Sequence, residues 1–294
     1  MTDLPEFCGD DLSLAQCATD ALLQELEVFP KPGLVSPIDS GAHTDMDYAL
    51  MCRSAGALLN PLARISAAGR AGGGFLSALV PLGIAAERDM LAATDGVNTH
   101  RGAIFVLGML VAALARTQAL GIPRSPPSVR EVLLQTWGDE LEAHASGDSE
   151  SHGGIVRRST GAGGARAEAA SGFPAIFEIG LPAYRSAIAS GLDSAAARIQ
   201  TLFVLMEAAE DTNVIFRGGP EAANFVRRSA AGFLAAGGCS GDGWLARAEE
   251  LHREFIRRNL SPGGCADLLA GTLLADDSEA QKQLDRRVLV VRTK

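Results

Sequence analysis

The sequence predicts an all-α protein, a single compact multi-helix domain, and three observations carry that expectation. Alanine and leucine, both strong helix formers, dominate a chain that is 47% hydrophobic. Valine and isoleucine are comparatively scarce and aromatics are only 5%, a poor composition for a large sheet. Apolar residues also recur at helical spacing along nearly all of the 294 residues.

The elements follow in order. Leu12, Ala15, Thr19, Leu22, Leu23 and Leu26 mark one face of a first helix over about 11–28. A proline-rich loop follows, then a second helix over about 45–68 and, past the glycines of "AGRAGGGF", a third over about 75–93. The most apolar helix extends from near Thr99 to near Gly121. Its run "GAIFVLGMLVAALA" has fourteen residues, too short to span a bilayer, and reads as a buried core helix. "SVRE" fits a capping box for a helix over about 128–145. A Gly/Ser-rich stretch fills 146–166, either a low-complexity linker or a loop made rigid by a ligand. Further helices are expected over about 167–189, 193–210, 220–236, 241–259 and 262–275; Pro220 and Pro262 suit first-turn positions. Only "RRVLVV", 286–291, looks strand-like, at the end of a tail from 276 to 294. No fixed repeat and no clear interdomain linker appears, so one domain over 1–294 is expected.

Charge and cysteines narrow the class. A net charge of −9 without a basic stripe is unsuited to a nucleic-acid backbone, so an anionic ligand must be held by local Arg, Lys and backbone N–H groups. The five cysteines are scattered with no C-x-x-C pair, which predicts reduced thiols in the cytoplasm. The N-terminal "MTDLPEFCGDD" is acidic and lacks a signal-peptide core. No membrane association is expected.

Five stretches can carry chemistry. In "PKPGLVSPIDSGAHTDMD" Pro30, Pro32 and Pro37 stiffen the loop, Gly33 and Gly41 permit close backbone approach, and Lys31 offers a point charge suited to phosphate. Asp45 and Asp47 can converge on one Mg²⁺ in a loop; alternatively Asp45 caps the second helix and Asp47 favours its dipole. In "GVNTHRGAIF" Asn98 or Thr99 is the expected N-cap, and the helix start offers N–H groups to an anion beside His100 and Arg101. "SHGG" and "GGARAEAASGFP" place glycines around His152, Arg166 and Glu168, an arginine able to grip phosphate and a carboxylate able to act as base or metal ligand. "EDTNVIFRGGP" holds Asp211, Asn213 and an anion cradle at Arg217, Gly218 and Gly219. "SPGGCADLLA" puts Asp267 among apolar residues, where a carboxylate needs a partner. Neither a P-loop nor a dinucleotide fingerprint occurs, and no Cys, Ser or Lys nucleophile is evident. Asp-rich and Arg/Gly-rich loops at the helix junctions suit a polyphosphate ligand held with Mg²⁺.

Together and in order, "PKPGLV…SGAHTDMD", "GVNTHRGAIF", "HG…GAR.EA..GFP", "DTN…RGG" and "SPGG.ADLLA" resemble the triphosphoribosyl-dephospho-coenzyme A synthase family, over about residues 10–275. The resemblance implies an all-helical transferase that joins ATP to 3′-dephospho-coenzyme A and releases adenine. Its product would be the precursor of a prosthetic group that a separate transferase attaches to the acyl carrier subunit of malonate decarboxylase or citrate lyase. The wording of "SGAHTDMD" and "GVNTHRGAIF" is closer to the malonate decarboxylase branch. One departure is the absence of a tyrosine expected near Thr160.

On that resemblance Asp45 and Asp47, with Asp211, would hold Mg²⁺ on the triphosphate. Lys31, Arg101, Arg166 and Arg217 would neutralise phosphates, with Gly33, Asn98, His152, Gly218 and Gly219 lining the substrates. Glu168 would be the general base, and His43, His100 or His152 would touch phosphate or aid adenine departure. Two rival classes fit the same features: a Mg²⁺-dependent all-α hydrolase of nucleotide or ADP-ribosyl bonds, and a helical carrier-protein partner that only binds coenzyme derivatives.

Overall fold

The computed structural model describes residues 6–147, 156 and 163–276. Among these the chain is helical and has no strand. The described helices are α1 (Gly9–Leu26), α2 (Tyr48–Ala57), α3 (Leu59–Arg70), α4 (Val80–Ala93), α5 (Arg101–Ala119) and α6 (Pro126–Ser146). They continue with α7 (Gly164–Ala170), α8 (Leu181–Ala189), α9 (Ser194–Ala208), α10 (Thr212–Ala235), α11 (Trp244–Arg257) and α12 (Gly263–Ala275). The strand-like 286–291 and the tail from 277 lie outside the described residues.

α5 is the centre, as its all-round hydrophobicity requires. It packs against α1, α3, α6 and α12, and the run Val106–Ala115 is buried without interruption. It is long and apolar enough to cross a bilayer, but its side chains are covered by the other helices. Gly69 lets α3 lie directly on α5: a Cβ there would stand 2.4 Å from the Ala112 Cα. One continuous apolar cluster joins Leu14 on α1 to Leu274 on α12. The buried stripe of α1 is Leu14, Ala15, Ala18, Ala21, Leu22 and Leu26, rotated from the expected face so that Leu12 is exposed.

Prolines account for the main departures in element boundaries. The single helix expected over 45–68 is two, because Pro61 has no N–H to offer the Ala57 carbonyl. A π-helical turn, Phe75–Leu79, leads into α4 ahead of Pro81. The helix expected over 167–189 divides at Gly172 and Phe173, both at positive φ, with Pro174 next; a second π-helical turn, Ala175–Gly180, then precedes α8. α6 is capped by Ser125, whose hydroxyl accepts the Ser128 N–H, so Ser128 is not the cap. α10 begins at Thr212, earlier than expected, and bends at Gly219 (φ 69°) before Pro220.

Candidate active site

The loops between these helices converge on one cavity of about 980 Å³, at the upper end of the range for ligand pockets. Its walls come from the 30–47 loop, the starts of α5, α7, α10 and α12, and the outer face of α4.

The 30–47 loop is anchored at both ends of its rigid part. Lys31 is completely buried, and its Nζ donates to Glu25 Oε1 at 2.6 Å and to the Glu25 carbonyl at 2.7 Å. Burial pushes its pKa down, and the Glu25 carboxylate opposes that shift. On α11, His252 Nδ1 lies 2.6 Å from the Lys31 carbonyl, and Nε2 is 3.0 Å from both Asp39 oxygens. Gly33 supports this folding and does not face the cavity: a Cβ there would fall 1.9 Å from the Leu260 carbonyl oxygen. Lys31 therefore reaches the cavity floor as half of an ion pair, not as the free phosphate-binding charge expected from sequence.

At the mouth, Arg217 ties the loop to the α11–α12 connection. Its Nη1 donates to the Ala42 carbonyl and to Asn259 Oδ1, each at 3.1 Å, and its Nη2 lies 3.3 Å from His43 Nδ1. His43 Nε2 lies 2.9 Å from Ser261 Oγ, and Asp45 Oδ1 is 3.6 Å from Nδ1. The row Ser261–His43–Asp45 has the order of a nucleophilic triad. Arg217 Nη2, which only donates, approaches Nδ1 at 3.3 Å and Nε2 at 3.5 Å, while the Asp45 carboxylate would accept from Nδ1, so the two neighbours compete to set the tautomer of the ring. Burial, and then the nearby Arg217, depresses the His43 pKa.

α5 begins beside the floor. Asn98 Oδ1 accepts the Arg101 N–H at 3.3 Å, and the Arg101 side chain pairs with Glu87 on α4 at 2.9 Å. His100, only 3% exposed, is fixed by Ser54 Oγ, 2.7 Å from its Nδ1, and Ser54 in turn meets Thr99 Oγ1 at 2.6 Å. Its Nε2 is buried without a hydrogen-bond partner among the described residues. Burial drives its pKa to about 4, and Lys31 adds to the effect. The unfolded chain takes up this proton near the ordinary 6.5, whereas the folded chain resists it until about 4. Stability should therefore fall as pH drops across that window, by up to about 1.4 kcal/mol per pH unit. His100→Gln, which keeps an amide for Ser54, should flatten that slope in denaturation curves; an unchanged slope would exclude His100 as its source.

The opposite wall is α7. Arg166 Nη1 donates to the His144 carbonyl at 3.4 Å, and His144 packs with Phe75 and Phe105. Glu168 Oε2 accepts the Ala175 N–H at 3.0 Å. Burial raises the Glu168 pKa, while that backbone bond and Arg130 hold it back.

Asp267 on α12 is partly buried beside the floor. It lines the cavity and accepts no hydrogen bond from a described side chain or backbone group. A Cβ at Gly102 would stand 2.0 Å from its Oδ2, so the carboxyl lies against the first turn of α5. Burial, followed by Asp211 and Glu25, pushes its pKa well above the ordinary aspartate value.

The structure thus brings Lys31, His43, Asp45, Asn98, His100, Arg101, Arg166, Glu168 and Arg217 to one cavity. Besides Gly33, four expected site residues serve other ends. Asp47 caps α2 by accepting the Leu50 N–H, the role expected for Asp45, and does not line the cavity. Asp211 is a buried cap that accepts the Asn213, Val214 and Cys265 N–H groups, which occupy its lone pairs. Gly218 and Gly219 form the bend of α10 and lie off the cavity wall. His152 and Thr160 lie outside the described residues. Glu25 was missed because only tertiary burial marks it; Asp267 was visible as an acidic residue in an apolar run.

Among the described residues no three His, Cys, Asp or Glu side chains gather into a metal cage. Asp45 stands exposed at the mouth, near Arg217. One such carboxylate fits a Mg²⁺ that arrives on a triphosphate, since this ion commonly takes one or two carboxylates and completes its shell with water and substrate phosphate.

Residues 11–286 match the family described as CitG: ATP:dephospho-CoA triphosphoribosyl transferase. A protein of Acinetobacter calcoaceticus named "Probable 2-(5''-triphosphoribosyl)-3'-dephosphocoenzyme-A synthase" is 40% identical over 264 residues, 87% of each chain. One from Salmonella typhimurium, bearing the same name with the number 1, is 41% identical over 86% of each chain. One from Vibrio cholerae is 38% identical over 87% of this chain and 85% of its own. No solved structure matches.

Proposed function

The chain belongs to the ATP:dephospho-CoA triphosphoribosyl transferase family, and from that premise we propose how its cavity performs the family's reaction. It is a transferase: ATP and dephospho-CoA are its substrates, and the triphosphoribosyl group moves from the first to the second. The observation that carries the assignment to this cavity is the convergence of three arginines, Arg101, Arg166 and Arg217, from three separate helices, with a half-buried carboxylate, Glu168, in the same cavity.

Adenine leaves C1 of the ATP ribose and the 2′-hydroxyl of dephospho-CoA attacks that carbon, through a transition state with oxocarbenium character. The arginines neutralise the triphosphate and the pyrophosphate of the acceptor. Asp45 would be the protein carboxylate for a Mg²⁺ carried by the triphosphate, and that ion would supply charge neutralisation there. Glu168 takes the hydroxyl proton; the Ala175 N–H fixes one of its oxygens and leaves the other for the acceptor. His100, neutral and rigid, offers Nε2 to a substrate atom as a hydrogen-bond partner.

We place the reaction in the cytoplasm, where both nucleotides are made and where the five free thiols would remain reduced. We assign the product to a downstream transferase that loads the acyl carrier subunit of malonate decarboxylase; the loop wording "SGAHTDMD" and "GVNTHRGAIF" supports that branch over citrate lyase. Adenine release tests the reading: it should require dephospho-CoA, and adenine release at equal rate without the acceptor would make the protein a hydrolase.

A further inference from the structure

We propose that Asp267 is the general acid of this reaction, the group that touches the departing adenine and protonates it. The inference rests on the transferase reading above and adds a residue to it.

Geometry singles Asp267 out. It is a partly buried carboxyl of the cavity wall, set against the backbone of α5 at Gly102 with no hydrogen-bond partner among the described residues. A carboxylate without a partner inside a cavity is costly, and such groups concentrate where chemistry uses them. Its charged and titratable neighbours are Glu25 of α1, Asp211 at the start of α10, Cys265 on its own helix, and Lys31 and His100 at the floor. Lys31 is paired with Glu25 and His100 is uncharged, so no ion pair or hydrogen bond opposes the effect of burial on Asp267.

The other candidates for this proton fall away. His43, His100 and His144, the described histidines of the cavity, are all held below their ordinary pKa by burial, which disfavours the imidazolium form that would serve as a strong acid. Burial raises Glu168 as well, but there a backbone donor and Arg130 oppose the shift, whereas nothing opposes it at Asp267. Two carboxyls in one cavity, pushed apart by their surroundings, divide into an acid and a base.

The step balances without a further reagent. The C1–N9 bond breaks with its electron pair on adenine, and the Asp267 proton passes to a ring nitrogen. The acceptor oxygen bonds to C1, and its proton passes to Glu168. Release of one proton from Glu168 and uptake of one by Asp267 restores the enzyme.

Asp267→Asn tests this. The variant should fold with an unchanged or higher midpoint and bind ATP, yet lose about 10²–10⁴-fold in kcat. The wild type should lose activity on the alkaline side as Asp267 ionises, and the residual rate of D267N should lack that limb. N7-methylated ATP separates the acid from a merely structural residue, because its base departs without a proton. D267N should approach the wild-type rate on it, whereas Glu168→Gln should not. Equal losses on both substrates, or an intact alkaline limb in D267N, would overturn the assignment. Should D267N fail to fold, the wild type decides: its alkaline limb must vanish with the methylated substrate, and its persistence would overturn the proposal. A wild type that makes no adduct from ATP would instead remove the transferase reading on which this one rests.

Discussion

Replacing Glu168 with glutamine is expected to lower kcat by about 10²–10⁴-fold while leaving the affinity for ATP close to that of the wild type. Glutamine keeps an oxygen for the Ala175 N–H, so the wall of α7 stays in place and only the proton acceptor is lost. The effect should be confined to turnover, because the 2′-hydroxyl needs a base only as it attacks C1. The acid-side limb of the wild-type pH profile, where a raised Glu168 pKa takes it out of its working form, should disappear with it. Collapse of ATP binding with normal turnover of bound ATP would place Glu168 among the binding groups and remove it as base.

Lys31→Met is expected to destabilise the fold by about 3–5 kcal/mol, the usual cost of leaving one member of a buried ion pair without its partner. The Lys31 ammonium is fully buried, 2.6 Å from Glu25, and its own carbonyl is held by His252. Its loss strands the Glu25 carboxylate and loosens the loop that presents His43 and Asp45. The double variant Glu25→Gln/Lys31→Met should recover most of the stability in chemical denaturation. ATP affinity in that double variant separates the two roles of the lysine. Near-wild-type affinity is expected if Lys31 is a structural anchor; a loss with stability restored would return it to the phosphate site.

Much of this arrangement is legible in the sequence because helix periodicity and junction loops are local properties. The central helix, the acidic and arginine-bearing loops, and their shared service of one ligand all follow from such patterns. What the sequence conceals is long-range. Asp211 spends an oxygen on Cys265, 54 residues away, so its ligand-like setting in "EDTN" turns out to be a cap for α10 that also steadies the start of α12. Lys31 resembles an exposed loop lysine until the fold buries it on Glu25. Asp45 and Asp47 are two residues apart, and only the course of the chain into α2 decides that Asp47 takes the cap and Asp45 the mouth of the cavity. The helix breaks at Pro61 and Pro174 were open to local reasoning, since each removes a donor that a continuous helix needs.

The most direct test is mass spectrometry of the products formed from ATP, Mg²⁺ and 3′-dephospho-coenzyme A, with acceptor lacking its 2′-hydroxyl as the control. The expected result is one free adenine for each triphosphoribosyl adduct of dephospho-coenzyme A, and neither product with the deoxy acceptor. Adenine or ADP without the adduct, or adduct formed equally well on the deoxy acceptor, would contradict glycosyl transfer to the 2′-hydroxyl in this cavity.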